Sequence, residues 1–267
     1  MNRTALVTGA SSGIGHATAR ALHARGYRVI GTSRNPDAIP EAARIVGVEY
    51  LALDLTDSAS IEKCASDVGQ VDVLVNNAGE SQSGPLEDLP TDAIERLFAS
   101  NVLGPVRLTQ LLLPGMRDRG YGRVVMVGSM LASFPLAYRS SYVATKAAIK
   151  GFATAMRFET APFGVWVTTV EPGVINTGIR ERRSKYLAPE SPYTNDFHTV
   201  LEALENNERA GIAADRVART IIESVESDKP RSLYAVGSNA PHVYVFKRLA
   251  PRSVIETTVA RRHGLNP

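Results

Sequence analysis

The sequence predicts an α/β fold in which a seven-stranded parallel sheet is doubly wound between two layers of helices. Short β-branched runs alternate with helical patterns along most of the 267 residues, as expected for strands joined by crossover helices. The first strand also leads through a glycine-rich turn into a helix. With 44% hydrophobic and 21% charged residues, the composition is that of a compact globular chain rather than a disordered or fibrous one.

Each predicted strand is apolar enough to be buried on both faces, as in a sheet covered by helices. The strands are residues 4–7, 28–31, 50–53, 71–75, 124–127, 165–170 and 233–236. Helices are predicted between them, several beside Ser, Thr or Asp caps, over residues 15–24, 58–68, 91–116, 141–161 and 214–226. Because no linker or repeat interrupts this order, we expect one domain over residues 1–267.

Residues 174–210 depart from the alternation. Charged residues cluster at 180–183 and turn-forming residues at 189–192. A long excursion of this kind is either a lid over a substrate site or a solvated loop, and the pattern fits both.

Charge and cysteine content restrict the class of protein. The net charge is +3, but the basic excess lies in residues 241–267, so the body has no basic face of the kind that binds nucleic acid. No apolar run reaches the ~18 residues of a membrane span. Cys64 is the only cysteine, which excludes an internal disulfide, predicts no metal site and favours a cytoplasmic setting.

The tail at residues 241–267 combines basic and apolar side chains, with Pro251 between two short helical segments. It can lie on an anionic membrane surface or pack against the body or a neighbouring subunit. Packing is favoured because helices this short bind lipid weakly. The apolar residues are Val243, Phe246, Leu249, Ile255 and Val259, and the basic ones are Lys247, Arg248, Arg252, Arg261 and Arg262.

The turn after the first strand carries three glycines where a strand becomes a helix. Glycine lets the backbone turn tightly and approach a phosphate, whose charge is met by free N–H groups and the helix dipole. An ordinary glycine-rich turn is the alternative, but the position in a first βα unit favours a dinucleotide. The predicted contacts are Gly9, Ser11, Ser12, Gly13, Ile14 and Gly15.

Three further strand ends add candidate cofactor contacts. Ser33 and Arg34 follow the second strand, and no acid appears before Asp37. A guanidinium beside a hydroxyl suits a 2′-phosphate, which favours NADP(H) over NAD(H), unless Arg34 is simply a surface residue. The ends of the third and fourth strands carry residues that either contact the cofactor or cap turns: Asp54, Leu55, Asn77, Ala78 and Gly79.

A second group of residues has the chemistry of proton transfer. Tyr142 and Lys146 lie one helical turn apart, and an ammonium favours the phenolate form of a nearby tyrosine, which makes it a usable acid/base. Ser129 ends the fifth strand, where its hydroxyl can orient a substrate oxygen or cap a turn. Asn101 lies in a helical pattern just before Gly104 and Pro105, an unusual place for a short amide unless the helix opens there.

In this order, the glycine turn, residues 76–79, Asn101, Ser129, Tyr142 and Lys146 resemble the short-chain dehydrogenase/reductase family over residues 3 to about 240. The resemblance implies that Tyr142 is the general acid/base and that Lys146 supports it and binds the nicotinamide ribose. It implies that Ser129 donates to the substrate oxygen and Asn101 holds a relay water. Nicotinamide contacts are implied at Pro172, Gly173 and Thr177, and a homodimer or homotetramer through the 91–116 and 141–161 helices.

Glu171 before Pro172, together with Arg34, resembles the branch that contains 17β-hydroxysteroid and retinol dehydrogenases. The leading hypothesis is therefore an NADP(H)-dependent oxidoreductase that interconverts an apolar secondary alcohol and its ketone, or an aldehyde. Two alternatives are a catalytically silent dinucleotide-binding regulator and a sugar-nucleotide epimerase or dehydratase. The intact set of four active-site residues argues against the first. The glycine spacing and the short C-terminal half argue against the second.

Overall fold

The computed structural model describes residues 3–240 and 242–266. Its centre is a seven-stranded, all-parallel sheet in the order β7-β6-β5-β4-β1-β2-β3. The strands are β1 (Thr4–Val7), β2 (Arg28–Ser33), β3 (Glu49–Ala52), β4 (Val73–Asn76), β5 (Gly122–Val127), β6 (Val165–Pro172) and β7 (Leu233–Val236). The order reverses at β1, so the carboxyl ends of β1 and β4 flank a crevice in which open sheets bind ligands. The predicted fold class is confirmed.

Helices cover both faces of the sheet. On one face α1 (Gly13–His23) and α7 (Ala214–Glu226) pack through Leu22, Ile221 and their neighbours. On the other face lie α2 (Ser58–Val68), α3 (Thr91–Phe98), α4 (Gly104–Asp118) and α5 (Ser140–Thr160). Leu108 and Met116 belong to the core on this second face. Burial on both sides explains why the strands are continuous apolar runs.

The prediction of one continuous helix over residues 91–116 is wrong, because this stretch forms three consecutive helical segments. A π-helical segment, Ala99–Leu103, separates α3 from α4. Pro105 has no N–H, so it cannot donate to the Asn101 carbonyl as an α-helix would require. The local opening expected around Asn101 is therefore present, as a π-bulge of the kind often found at functional sites.

Several strand boundaries also differ from the prediction. β2 and β6 each run two residues further, to Ser33 and Pro172, whereas β4 begins two residues late, at Val73. Asp72, predicted to lie in β4, instead accepts the Thr4 N–H with its Oδ2 atom at 2.9 Å. This side-chain bond adds to the backbone bonds that Asp72 makes with Thr4 and Arg123, each at 2.9 Å.

The excursion at 174–210 is more regular than the sequence indicated. It contains α6 (Thr194–Arg209), which the prediction missed, and two short strands that pair elsewhere, Ile175–Asn176 and Ser184–Lys185. The tail forms α8 (His242–Leu249) and α9 (Arg252–Arg262), with Pro251 between them as expected. Among residues 3–240 and 242–266, none of the helices has the length and hydropathy to cross a membrane.

Candidate active site

A cavity of about 790 Å³ opens at the carboxyl edge of the sheet. The strand ends of β1, β2, β4, β5 and β6 form its floor. Parts of the 174–210 excursion and of the α8–α9 tail form the opposite wall. A cavity of this size is large enough for a cofactor and a substrate together.

The glycine turn forms a tight cradle between β1 and α1. Gly9 and Gly13 have φ angles of +67° and +57°, which residues with a Cβ rarely adopt. A Cβ at Gly15 would lie 2.2 Å from the Gly9 oxygen, so the helix can approach the strand only with glycine there. Ser12 begins α1 without a side-chain capping bond, which leaves the first N–H groups of the helix for another acceptor.

Thr8 holds the turn against the end of β4. Its Oγ1 atom accepts the N–H groups of Asn77 and Ala78, each at 3.0 Å, and the Asn77 side chain donates to the Thr8 oxygen at 2.9 Å. These bonds fix the two neighbouring strand ends relative to each other. The sequence analysis did not select Thr8, although it directly precedes the glycine motif.

Charged side chains line the rim near β2. Arg34 is largely exposed, and its Nη1 atom lies 3.5 Å from Glu80 Oε1. Arg96 binds the same carboxylate through two nitrogens, at 2.7 and 3.2 Å. Hydrogen bonds from the Thr56 hydroxyl and N–H hold the pKa of Asp54 below its usual range. The rim therefore carries two arginines close to two carboxylates.

Tyr142, Lys146 and Ser129 lie in the same cavity. Lys146 is buried, donates to the Val127 oxygen at 3.0 Å, and has its Nζ atom 5.8 Å from the centroid of the Tyr142 ring. Ser129 Oγ accepts the Leu131 N–H at 3.1 Å. Ser129 thus caps a short 3-10 turn and still faces the cavity, which combines the two interpretations its position allowed.

Asn101 lies one layer behind the cavity wall. Its Oδ1 atom accepts from the Glu80 N–H at 2.8 Å and from the Ser100 hydroxyl at 3.1 Å. Its Nδ2 atom donates to the Glu80 oxygen at 3.0 Å and to Thr145 Oγ1 at 3.3 Å. Protein groups thus occupy the side-chain amide of Asn101. Its main-chain carbonyl has no α-helical donor, because Pro105 has no N–H.

A buried arginine that the sequence analysis did not select stacks on Tyr142. The Cζ atom of Arg139 lies 4.3 Å from the centroid of the Tyr142 ring. Its terminal nitrogens donate to Ser83 Oγ at 3.0 Å and Ser81 Oγ at 3.1 Å. Burial, followed by the proximity of the Arg183 guanidinium, lowers the pKa of Arg139 to about 10. Arg183 in turn pairs with Glu208 of α6.

Glu171, fully buried at the end of β6, connects the body to the tail. Its Oε1 atom lies 2.9 Å from Lys150 Nζ, and its Oε2 atom accepts from Ser133 Oγ at 3.2 Å and from the Tyr244 hydroxyl of α8. Burial and then the bond to this carboxylate raise the pKa of Tyr244. Lys247 of α8 also donates to the Ser133 oxygen. The tail is thus fastened beside the cavity.

The structure brings most of the predicted residues together. The cavity is lined by Gly9, Ser11, Ser12, Gly13, Ile14, Ser33, Arg34, Asp54, Leu55, Asn77, Ala78, Gly79, Ser129, Tyr142, Lys146, Pro172, Gly173 and Thr177. Two predicted residues do not line it: Gly15 packs beneath Gly9, and Asn101 lies behind Glu80. Sequence reasoning missed Thr8, Glu80, Arg96, Arg139 and Arg183, although Thr8, Glu80 and Arg139 each stand beside a selected motif.

The sheet order and the glycine cradle define a Rossmann-type domain, and the cavity joins that cradle to a tyrosine and a lysine one turn apart. Comparison with known proteins identifies the family. The sequence model described as short chain dehydrogenase matches residues 3–187. The chain therefore belongs to the short-chain dehydrogenase family, and it is an oxidoreductase of that family.

Individual relatives agree with this assignment. A 3-ketodihydrosphingosine reductase of Bacteroides thetaiotaomicron is 33% identical over 238 residues, which cover 87% of each chain. The crystal structure of a short-chain dehydrogenase from Streptomyces avermitilis is 34% identical, with a TM-score of 0.84 over 99% of this chain and 98% of that one. A short-chain dehydrogenase from Sphingobium yanoikuyae in complex with NADPH is 25% identical, with a TM-score of 0.74 over 95% of each chain.

Proposed function

We propose that this protein is an NADP(H)-dependent oxidoreductase that interconverts an apolar secondary alcohol and its ketone, or an aldehyde. The observation that carries the proposal is the shared cavity, in which Tyr142, Lys146 and Ser129 lie at one end of a glycine cradle. A dinucleotide-binding regulator would not need these three side chains beside its cofactor site.

The glycine cradle suits the pyrophosphate of a dinucleotide. The positive φ angles at Gly9 and Gly13 and the uncapped start of α1 turn backbone N–H groups toward the cavity. Lys146, beside Gly79, is positioned to bind the nicotinamide ribose. Pro172, Gly173 and Thr177 border the same end of the cavity, where they would contact the nicotinamide. When bound, the cofactor supplies or accepts the hydride.

Arg34 is the basis for preferring NADP(H). Its contact with Glu80 is long and solvent-exposed, and such ion pairs contribute little. A 2′-phosphate can therefore replace Glu80 as the partner of the Arg34 guanidinium, and β2 carries no acidic side chain that would repel the phosphate. The related structure from Sphingobium yanoikuyae, solved with NADPH, supports the same choice.

The protein side chains divide the proton chemistry among them. Tyr142 gives a proton to the carbonyl oxygen in reduction and takes one from the alcohol in oxidation. Lys146 places a positive charge 5.8 Å from the centroid of the Tyr142 ring, and Ser129 holds the substrate oxygen. Because the side-chain amide of Asn101 is fully used, a relay water would bind its main-chain carbonyl, which Pro105 leaves without an α-helical donor.

The substrate end of the cavity favours an apolar ligand. Its wall includes side chains from the 3-10 turn after β5, from the excursion and from the tail: Met130, Leu131, Phe134, Ile179, Leu204, Val243, Phe246, Ile255 and Val259. The presence of Ile179 and Leu204 in this wall supports the lid, which is one of the two sequence interpretations of residues 174–210. A relative named as a reductase of a 3-keto compound supports a ketone substrate.

The test is a spectrophotometric screen of NADPH oxidation across ketones and aldehydes. Tyr142→Phe should reduce turnover ~100-fold or more while folding and cofactor binding persist, and Lys146→Met should also weaken cofactor binding. Tyr27→Phe, outside the cavity, is the matched control. Near-normal turnover in Tyr142→Phe would exclude its role. NADPH binding without oxidation of any substrate would favour the regulator, and sugar-nucleotide conversion without net NADPH use would favour the epimerase.

Two further expectations belong to this proposal. A cytoplasmic setting suits the lone Cys64, which is buried with its pKa raised by burial to about 11 and is therefore an unreactive thiol. Assembly through the α4–α5 side is supported by Leu103, Phe152 and Phe158, large apolar side chains that are exposed there. Light scattering measures the oligomeric mass, which Phe158→Asp should reduce.

A further inference from the structure

We propose that the outer face of the α8–α9 tail docks on an anionic phospholipid surface, with the mouth of the cavity beside the contact. Val245, Phe246 and Leu249 are exposed on α8, and Leu249 is 80% exposed. Their spacing places them on one side of the helix. Val254, at the start of α9, is exposed as well. An apolar patch on a short surface helix indicates an interaction site rather than a core face.

The charge of the same segment identifies the kind of surface. Within residues 242–266 the only acidic residue is Glu256, and the exposed basic residues are Lys247, Arg248, Arg252, Arg261 and Arg262. Apolar side chains flanked by cations match a bilayer interface, where the former enter the headgroup boundary and the latter attract anionic lipids. The rest of the chain is close to neutral, so this attraction is confined to the tail.

The tail is already folded before any contact with lipid. Tyr244 and Lys247 bond to Glu171 and Ser133 of the body, and Ile255 is buried. A free helix of eight or eleven residues would lose much of its binding energy to ordering. Anchoring to the body removes that cost, which was the main objection to membrane contact for this tail.

The cavity wall and the exposed patch share a side chain. Val243, Phe246, Ile255 and Val259 line the cavity, and Phe246 is also half exposed. An apolar substrate could therefore pass from the bilayer into the cavity along α8 without crossing water. This part rests on the proposed function, whereas docking itself does not.

A second copy of the chain is a poorer occupant of this face. In a symmetric contact the same patch meets itself, so the cations around Arg248 and Arg252 would meet a surface of the same positive charge. The exposed Phe152 and Phe158 of α5 lie on another helix and offer apolar area for self-association. An anionic bilayer satisfies the arginines and the apolar residues together.

The experiment is sedimentation of the full chain with phosphatidylcholine vesicles, with and without phosphatidylserine. We expect binding to the phosphatidylserine vesicles at low salt and release at high salt. Val245→Asp with Leu249→Asp, and separately Arg248→Glu with Arg252→Glu, should each weaken binding ~10-fold or more. Thermal unfolding verifies that these exposed substitutions leave the fold intact. Val46→Asp and Arg216→Glu with Arg219→Glu are the matched controls on other exposed surfaces and should bind like the wild type.

Any one of three results would overturn the proposal. The first is that the wild type does not sediment with phosphatidylserine vesicles at low salt, and the second is that the control variants lose as much binding as the tail variants. The third is that the Val245 and Leu249 substitutions instead abolish self-association, as measured by light scattering. NADPH oxidation in solution is measured in parallel. Loss of docking with intact oxidation rejects only the docking, and docking without oxidation of any substrate rejects only the proposed function.

Discussion

Tyr244→Phe isolates the bond that fastens the tail to the body. The substitution removes one hydroxyl, keeps the ring, and preserves the edge-to-face contact with Phe134, whose centroid lies 5.3 Å away. The Glu171 carboxylate then retains Lys150 and Ser133 but loses its partner on α8. The expected effect is therefore on the docking of the tail rather than on the body.

The magnitude follows from the burial of Glu171. A hydrogen bond to a charged group contributes about 1.5–3 kcal/mol. Because the Glu171 carboxylate keeps two other partners, we expect the loss of this bond to cost ~2 kcal/mol, in the lower half of that range. Since about 1.4 kcal/mol is a factor of ten, the tail should open ~10–30-fold more often. Because burial and Glu171 raise the pKa of Tyr244, its contribution is complete below the unfolded value of ~10 and is lost as the pH rises through the folded value.

Hydrogen exchange measured on both proteins tests the argument. Amides of α8 and α9 should lose ~10–30-fold protection in Tyr244→Phe, whereas amides of the central sheet should be unchanged. Tyr193→Phe is the matched control, because the Tyr193 hydroxyl makes only a 3.4 Å contact with Glu87 at the surface. Equal protection of the tail in Tyr244→Phe and the wild type would refute the anchoring role.

Three other substitutions probe separate parts of the site. Arg34→Asp should shift cofactor preference toward NAD(H) by ~10-fold or more, measured as the ratio of kcat/KM values, with Arg117→Asp as control; a wild type that prefers NADH contradicts the reasoning. Gly15→Ala should weaken NADPH binding ~10-fold or more because its Cβ would lie 2.2 Å from a backbone oxygen, whereas Gly151→Ala, which has open space, should not. Burial lowers the pKa of His263 below its unfolded value of ~6.5. The neutral imidazole therefore contributes fully to the stability of the tail above pH ~6.5, and this contribution is lost as the pH falls. His263→Asn, but not the control His198→Asn, should flatten the pH dependence of hydrogen exchange in the tail, and an unchanged profile would exclude this role.

The cofactor half of the site was predictable because it depends on strand ends. In a parallel sheet all carboxyl ends meet at one edge, so a motif at the end of a strand can be placed without knowing its contacts. Gly9, Asn77 and Ser129 all line the cavity for this reason. Helical spacing fixed Tyr142 and Lys146 relative to each other in the same way.

The remaining side chains depend on contacts between distant parts of the chain. Arg139 meets Ser81 and Ser83, and Arg183 meets Glu208, through contacts between residues 25 or more positions apart in the sequence. In the sequence, Glu171 stood out only because its position before Pro172 resembles one branch of the family. Its partner Tyr244 lies 73 residues further along, so only the fold could show that this glutamate anchors the tail.

The division between strand ends and added segments also assigns separate tasks. The strand ends form the cradle and carry Ser129, whereas α5 carries Tyr142 and Lys146 and is tied to the sheet by the Lys146 bond to the Val127 oxygen. In the proposed reaction, this rigid frame would position the cofactor and the reacting oxygen. The excursion and the tail close the cavity from outside. The excursion is joined to the body by the pairing of Ser184–Lys185 with Gln82–Ser83 and by the Arg183 bond to Ser81, and the tail is joined by the bonds of Tyr244 to Glu171 and of Lys247 to Ser133. Because these contacts join each outer wall of the cavity to the body, substitutions in these segments should alter substrate choice and KM before they alter cofactor binding.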